Sequence, residues 1–97
     1  YALLCRHIPA NCTEIVSGGA MGIDRLAEIY ARENHLPIKI FLPDYEKYGK
    51  RAPIVRNDEI VRYSQYVLAI WDGESHGTAY TVTTCIKDGV PVKVIHL

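Results

Sequence analysis

Three short segments carry the residue types that could do chemistry. The first is Ser17-Gly18-Gly19-Ala20-Met21-Gly22-Ile23-Asp24. Adjacent glycines let the backbone approach a ligand closely. A helix starting just after them offers unpaired N–H groups and a partial positive charge, the ordinary setting for a bound phosphate. The spacing is neither G-x-G-x-x-G nor a loop followed by G-K-[ST], so no dinucleotide fingerprint and no P-loop is read. A tight strand-to-helix turn explains the same residues without a ligand. Asp24 suits the first turn of the helix as a cap, with a ribose hydroxyl as the alternative partner.

The second segment is Asp72-Gly73-Glu74-Ser75-His76-Gly77-Thr78. It repeats the logic, with glycines bracketing a polar turn and hydroxyls at a second helix start. Asp72 could accept hydrogen bonds from a ribose or a base, or organise the turn. His76 is read as a solvated loop histidine, with acid–base chemistry as the alternative. The pairing is more telling than either motif alone: the amides of residues 18–20 and 75–78 are expected to converge on one negatively charged guest. The third segment runs from Asp44 to Arg51 and is long for a connecting loop. Tyr45 and Tyr48 could stack on a base, while Lys50 and Arg51 could meet a phosphate. Asp44, Tyr48, Lys50, Arg56 and Asn57 form an accessory set, the last two on the following helix.

These segments need elements to hold them. Glycine and proline divide the chain. Residues 2–8 read as the end of a helix, and residues 14–16 as a short strand running into the first turn. From Ile23, apolar residues fall at Ile23, Leu26, Ala27, Tyr30 and Ala31, an amphipathic helical stripe. Residues 38–42 read as a strand closed by Pro43, and 44–52 as a polar loop. Pro53 suits the first turn of a helix over 54–63. Residues 66–71 are nearly all apolar, as expected of a strand buried on both faces. A helix with Ala79, Val82, Thr83 and Ile86 on one face follows, capped by Gly89, and residues 91–97 are the last strand. Alternating helices and strands predict an α/β fold, a Rossmann-like doubly wound parallel sheet in three α/β/α layers. A chain of this order that opens on a helix lacks the strand expected before it, so about ten to twenty residues are expected upstream of Tyr1.

Composition narrows the function classes. The 97 residues are expected to form one domain. Eleven Lys and Arg balance eleven Asp and Glu, which argues against a general polyanion binder. A 48% hydrophobic and 23% charged content is that of a globular chain rather than a disordered one. No apolar run is long enough to span a bilayer, and no leader is read. The three cysteines form no C-x-x-C pair and fit a reducing, cytoplasmic setting. The four histidines are scattered, so no metal and no resident cofactor is expected.

Taken in order, I-V-S-G-G-A-M-G-I-D-R-L-A, F-L-P-D-Y-x-x-Y-G-K-x-A, R-N, V-L-A-I-W-D-G-x-S-x-G-T and G-V-P-V resemble the SLOG superfamily over about residues 13–97. Within it the chain is most similar to the YspA-like family, a bacterial and phage domain of unknown function. The resemblance implies a Rossmann-like fold that binds nucleotides or nucleotide-derived small molecules. It implies Ser17, Gly18, Gly19, Ala20, Gly22 and Asp24 as one wall of the pocket, and Asp72, Gly73, Ser75, Gly77 and Thr78 as the other. It also implies an upstream strand ending in a Gly-Ser-Arg-like turn, and such domains often pair through helical faces. Two relatives supply rival functions. LOG-type phosphoribohydrolases release a base from a nucleoside monophosphate, using a Glu in the helix after Gly-Thr. Tyr80 and Thr81 stand there instead, which argues against that activity. The DNA-processing protein A family shares an S-G-x-A-x-G-I-D motif and binds single-stranded DNA. A zero net charge argues against that partner, with Lys47, Lys50, Arg51 and Arg56 as the local exception.

Overall fold

The computed structural model describes residues 2–18, 23–71 and 73–96. The chain divides into two compact units, Tyr1–Leu42 and Pro43–Leu97.

The first unit runs α1 (Ala2–His7), β1 (Ile15–Ser17), α2 (Ile23–Glu33) and β2 (Ile38–Ile40). β1 and β2 pair in parallel, Ile15 beside Ile38 and Ser17 beside Ile40, with α2 as the crossover. Phe41 N–H continues the ladder to the Ser17 carbonyl at 2.9 Å, although the strand itself stops one residue earlier. Leu4, Ile15 and Ala31 are buried; of the stripe read on α2, Leu26, Ala27 and Tyr30 are half-buried beside Ala31.

The end of α2 has a specific geometry. His35 adopts a left-handed backbone, φ 55°, where a glycine is usual. Its N–H reaches the Arg32 carbonyl and that of Leu36 reaches the Ala31 carbonyl. This is the paired closure of a Schellman cap. Asn34 adds a side-chain bond to the Tyr30 carbonyl at 2.9 Å.

The second unit runs α3 (Tyr45–Tyr48), a 3₁₀ turn (Gly49–Arg51), α4 (Ala52–Tyr63), β3 (Val67–Trp71), α5 (His76–Asp88) and β4 (Val92–His96). β3 and β4 are parallel, in register from Val67 beside Val92 to Trp71 beside His96, and α5 is their crossover. The core is Val61, Val67 and Cys85, with Val90 and Val92 packed against it. α5 ends in the same Schellman closure as α2, here with Gly89 at φ 73° in the left-handed position. Pro53 lies in the first turn of α4, as its lack of an N–H allows.

Mixed α/β architecture with parallel strands and helical crossovers is therefore present, as two two-stranded sheets among the described residues. Two local expectations change. Residues 45–51 are helical rather than loop: the Asp44 carboxylate accepts from the Lys47 N–H at 3.1 Å and so nucleates a turn of α-helix. β3 alternates rather than being buried on both faces. Val67 and Ala69 are buried, while Leu68, Ile70 and Trp71 are half-buried.

Among the described residues no helix is long and apolar enough to cross a membrane.

Candidate functional site

In the second unit the candidate site is the turn from β3 into α5. Parallel register leaves Trp71 and His96 side by side at the carboxyl ends of their strands. Gly73 follows at φ 88°. A Cβ built there would lie 2.9 Å from His96 Nε2, so the imidazole packs directly on the turn. The left-handed backbone is what favours glycine at position 73; a side chain there would also push the exposed His96 ring aside.

Ser75 organises the helix start. Its hydroxyl oxygen accepts from the Thr78 N–H at 3.4 Å and from the Thr78 hydroxyl at 3.3 Å. Its carbonyl accepts from the Trp71 indole N–H at 2.9 Å and from the Ala79 N–H at 3.1 Å. The Trp71 bond ties the end of the strand to the start of the helix across the turn. With Thr78 capped by Ser75, the N–H groups of His76 and Gly77 are the open donors at the exposed tip of α5. Among the described residues nothing lies within 4 Å of a Cβ built on Gly77, so a side chain there would meet open space. At the end of a thirteen-residue helix they carry a partial positive charge.

The first unit contributes the β1–α2 connection. Ser17 and Gly18 are buried at the end of β1. Asp24 is half-buried in the first turn of α2. Gly19, Ala20, Gly22 and Asp72 lie outside the described residues. The two turns belong to different compact units.

The accessory residues have local partners. Asp44 spends one carboxylate oxygen on the α3 cap. Arg56 Nε donates to Asn57 Oδ1 at 2.9 Å, so these neighbours on α4 hold one another. Tyr45, Tyr48, Lys50 and Arg51 are all exposed, and Lys47 Nζ sits 5.2 Å from the Tyr48 ring centre.

Spacing alone did not reveal three features. His96 lies 23 residues from Gly73 and meets it only through strand register. The Trp71–Ser75 bond joins a residue read as core or pocket wall to one read as ligand-binding. On α5, the Tyr80 hydroxyl donates to Asp58 Oδ1 of α4 at 2.9 Å. That bond to a carboxylate, with partial burial and the Asp58 charge, raises the Tyr80 pKa above its usual 10.0. The Tyr80 hydroxyl is thus committed to Asp58. Among the described residues, no three of His, Cys, Asp and Glu gather to hold a metal ion.

No protein-family profile matches the chain. No solved structure matches it either. It is similar to the Gene 61 protein of Mycobacterium phage D29, with 36% identity over 84 residues, covering 80% of this chain and 67% of the phage protein. The chain therefore belongs to the family of the phage D29 Gene 61 protein.

Proposed function

We propose that the chain is a Rossmann-like, three-layer domain of the SLOG type, close to the YspA-like family. It binds a nucleotide or nucleotide-derived phosphorylated small molecule at the carboxyl ends of its strands. The observation that carries this reading is the β3–α5 turn. Two N–H donors stand open at a helix N-terminus, and among the described residues nothing lies within 4 Å of a Cβ position on Gly77 beside them. A phosphate seated there would accept from His76 and Gly77 and meet the helix dipole. The Ser17–Asp24 turn carries the same residue types at the start of α2.

The test is a titration of the common nucleoside mono- and diphosphates against the wild type and Gly77→Val. Saturable binding that falls at least tenfold in the variant, with circular dichroism unchanged, is expected. Failure of the wild type to bind any of them, or equal binding by both, overturns the reading. Phosphoribohydrolysis is not proposed, because Tyr80 and Thr81 fill the catalytic position.

One observation favours a second reading, binding of single-stranded nucleic acid. Tyr45, Lys47, Tyr48, Lys50 and Arg51 are all exposed within seven residues, the aromatic and cationic mixture that stacks bases and meets phosphates. A mobility shift with a short single-stranded DNA at low salt is its test, and absence of a shift dismisses it.

A further inference from the structure

The groove between α4 and α5 takes no part in the phosphate site and has its own chemistry. α4 leads into the start of β3, and α5 leaves from its end and returns to the start of parallel β4. Both helices thus run opposite to β3 and in the same direction as each other. Asp58 and Arg62 of α4, with Tyr80, Thr83, Thr84, Lys87 and Asp88 of α5, line a space of about 350 Å³.

The Tyr80–Asp58 bond at 2.9 Å sets these two residues at one level. Arg62 stands one turn further along α4, about 6 Å, and Lys87 two turns further along α5, about 10 Å. The groove therefore has two chemically distinct ends. At the first end the hydroxyl protons are already committed. Tyr80 donates to Asp58, Thr83 to the Ala79 carbonyl at 3.0 Å, and Thr84 to the Tyr80 carbonyl at 2.9 Å. Those oxygens offer lone pairs only, beside the Asp58 carboxylate, with the Arg51 cation near enough to act weakly on the Tyr80 hydroxyl. At the far end Arg62, Lys87 and Asp88 sum to one positive charge, and among the described residues no hydrogen bond or ion pair occupies Arg62 or Lys87.

We propose that this groove binds a short linear zwitterion, with an ammonium and one carboxylate about 6–10 Å apart, as in a di- or tripeptide. The ammonium sits at Asp58 among the oxygen acceptors, and the carboxylate sits between Arg62 and Lys87. Asp88 limits the far end to one negative charge, so a phosphate or dicarboxylate is disfavoured there. The volume suits a ligand of that size. Tyr80 fits this arrangement, because its hydroxyl proton is directed at Asp58.

The test is a two-dimensional amide NMR titration of the full chain with triglycine. Saturable shifts confined to α4 and α5 are expected in the millimolar range. N-acetyltriglycine and triglycinamide, each lacking one charge, are expected to bind at least tenfold more weakly; succinate and 1,4-diaminobutane are expected not to saturate. Arg62→Gln, at the groove rim, is expected to weaken triglycine at least tenfold and leave triglycinamide unchanged. Asp58→Asn is expected to weaken triglycine and spare N-acetyltriglycine. Should Asp58→Asn disturb the helix pair, Arg62→Gln decides alone. No saturable shift, equal binding of the capped peptides, or an Arg62→Gln variant that binds as wild type overturns the proposal.

Discussion

Gly73 and Gly77 stand four residues apart in the same turn and are glycine for different reasons. At Gly73 a side chain would need a left-handed backbone and would displace the exposed His96 ring. At Gly77 nothing among the described residues opposes a side chain. Its backbone is helical, so alanine should stabilise by about 0.5–1 kcal/mol through lower unfolded-state entropy. A phosphate bound at the open donors would reverse that preference, since the added methyl intrudes on it. Gly77→Ala is therefore expected to raise the melting temperature while lowering nucleotide affinity. A variant that gains stability with unchanged affinity would show that the space in front of α5 is not used. The two Schellman caps give a second comparison within one chain. Gly89 and His35 hold equivalent left-handed positions. Gly89→Ala should cost about 1 kcal/mol and His35→Gly should gain about 0.5 kcal/mol, opposite shifts of a few degrees in thermal melts. His35 is exposed, so no lost packing obscures its result.

α4 and α5 are joined across their surface by the Tyr80–Asp58 bond and beneath it by Val61 and Cys85. Two titratable groups on α5, Tyr80 and Cys85, have raised pKa values. The Tyr80 shift comes first from its bond to Asp58, the Cys85 shift first from burial and then from the Asp88 charge. A pKa raised on folding means that the folded state holds its proton more tightly. The associated stability is complete below the unfolded values of about 9 and 10, and is lost as pH rises through the folded ones. Stability should therefore fall on the alkaline side, and Tyr80→Phe should shallow that fall in urea melts between pH 9 and 11. An unchanged slope would mean that the Tyr80–Asp58 bond does not persist in solution. Most of this architecture was legible in the sequence because glycine, proline and apolar period mark element ends locally. Asp44 was legible as a polar residue but not as a cap, since a four-residue helix has no stripe to announce it. His96 against Gly73 and Asp58 against Tyr80 were not legible, because strand register and helix pairing create those contacts between residues far apart in the chain.

Across the whole chain, eleven cations balance eleven anions and the isoelectric point is about 7.1. A molecule of zero net charge has little long-range pull on a polyanion, and beyond about 10 Å at physiological salt its charges are largely screened in any case. Binding of single-stranded DNA would then depend on the local cations Lys47, Lys50 and Arg51 alone. Three phosphate contacts release few counterions, giving a slope of about −2 in log affinity against log salt. A generally basic binder would lose affinity far more steeply. The double variant Lys50→Glu, Arg51→Glu reverses most of the local charge while moving the total to only −4, so it should abolish binding rather than weaken it. The nucleotide reading gives the opposite result. Nucleotide affinity should survive both the double variant and a rise to half-molar salt, because the donors at α5 are backbone amides at a capped helix end, whose short-range hydrogen bonds salt screens weakly. Measuring both ligands on both proteins separates a site made by main-chain geometry from one made by surface charge.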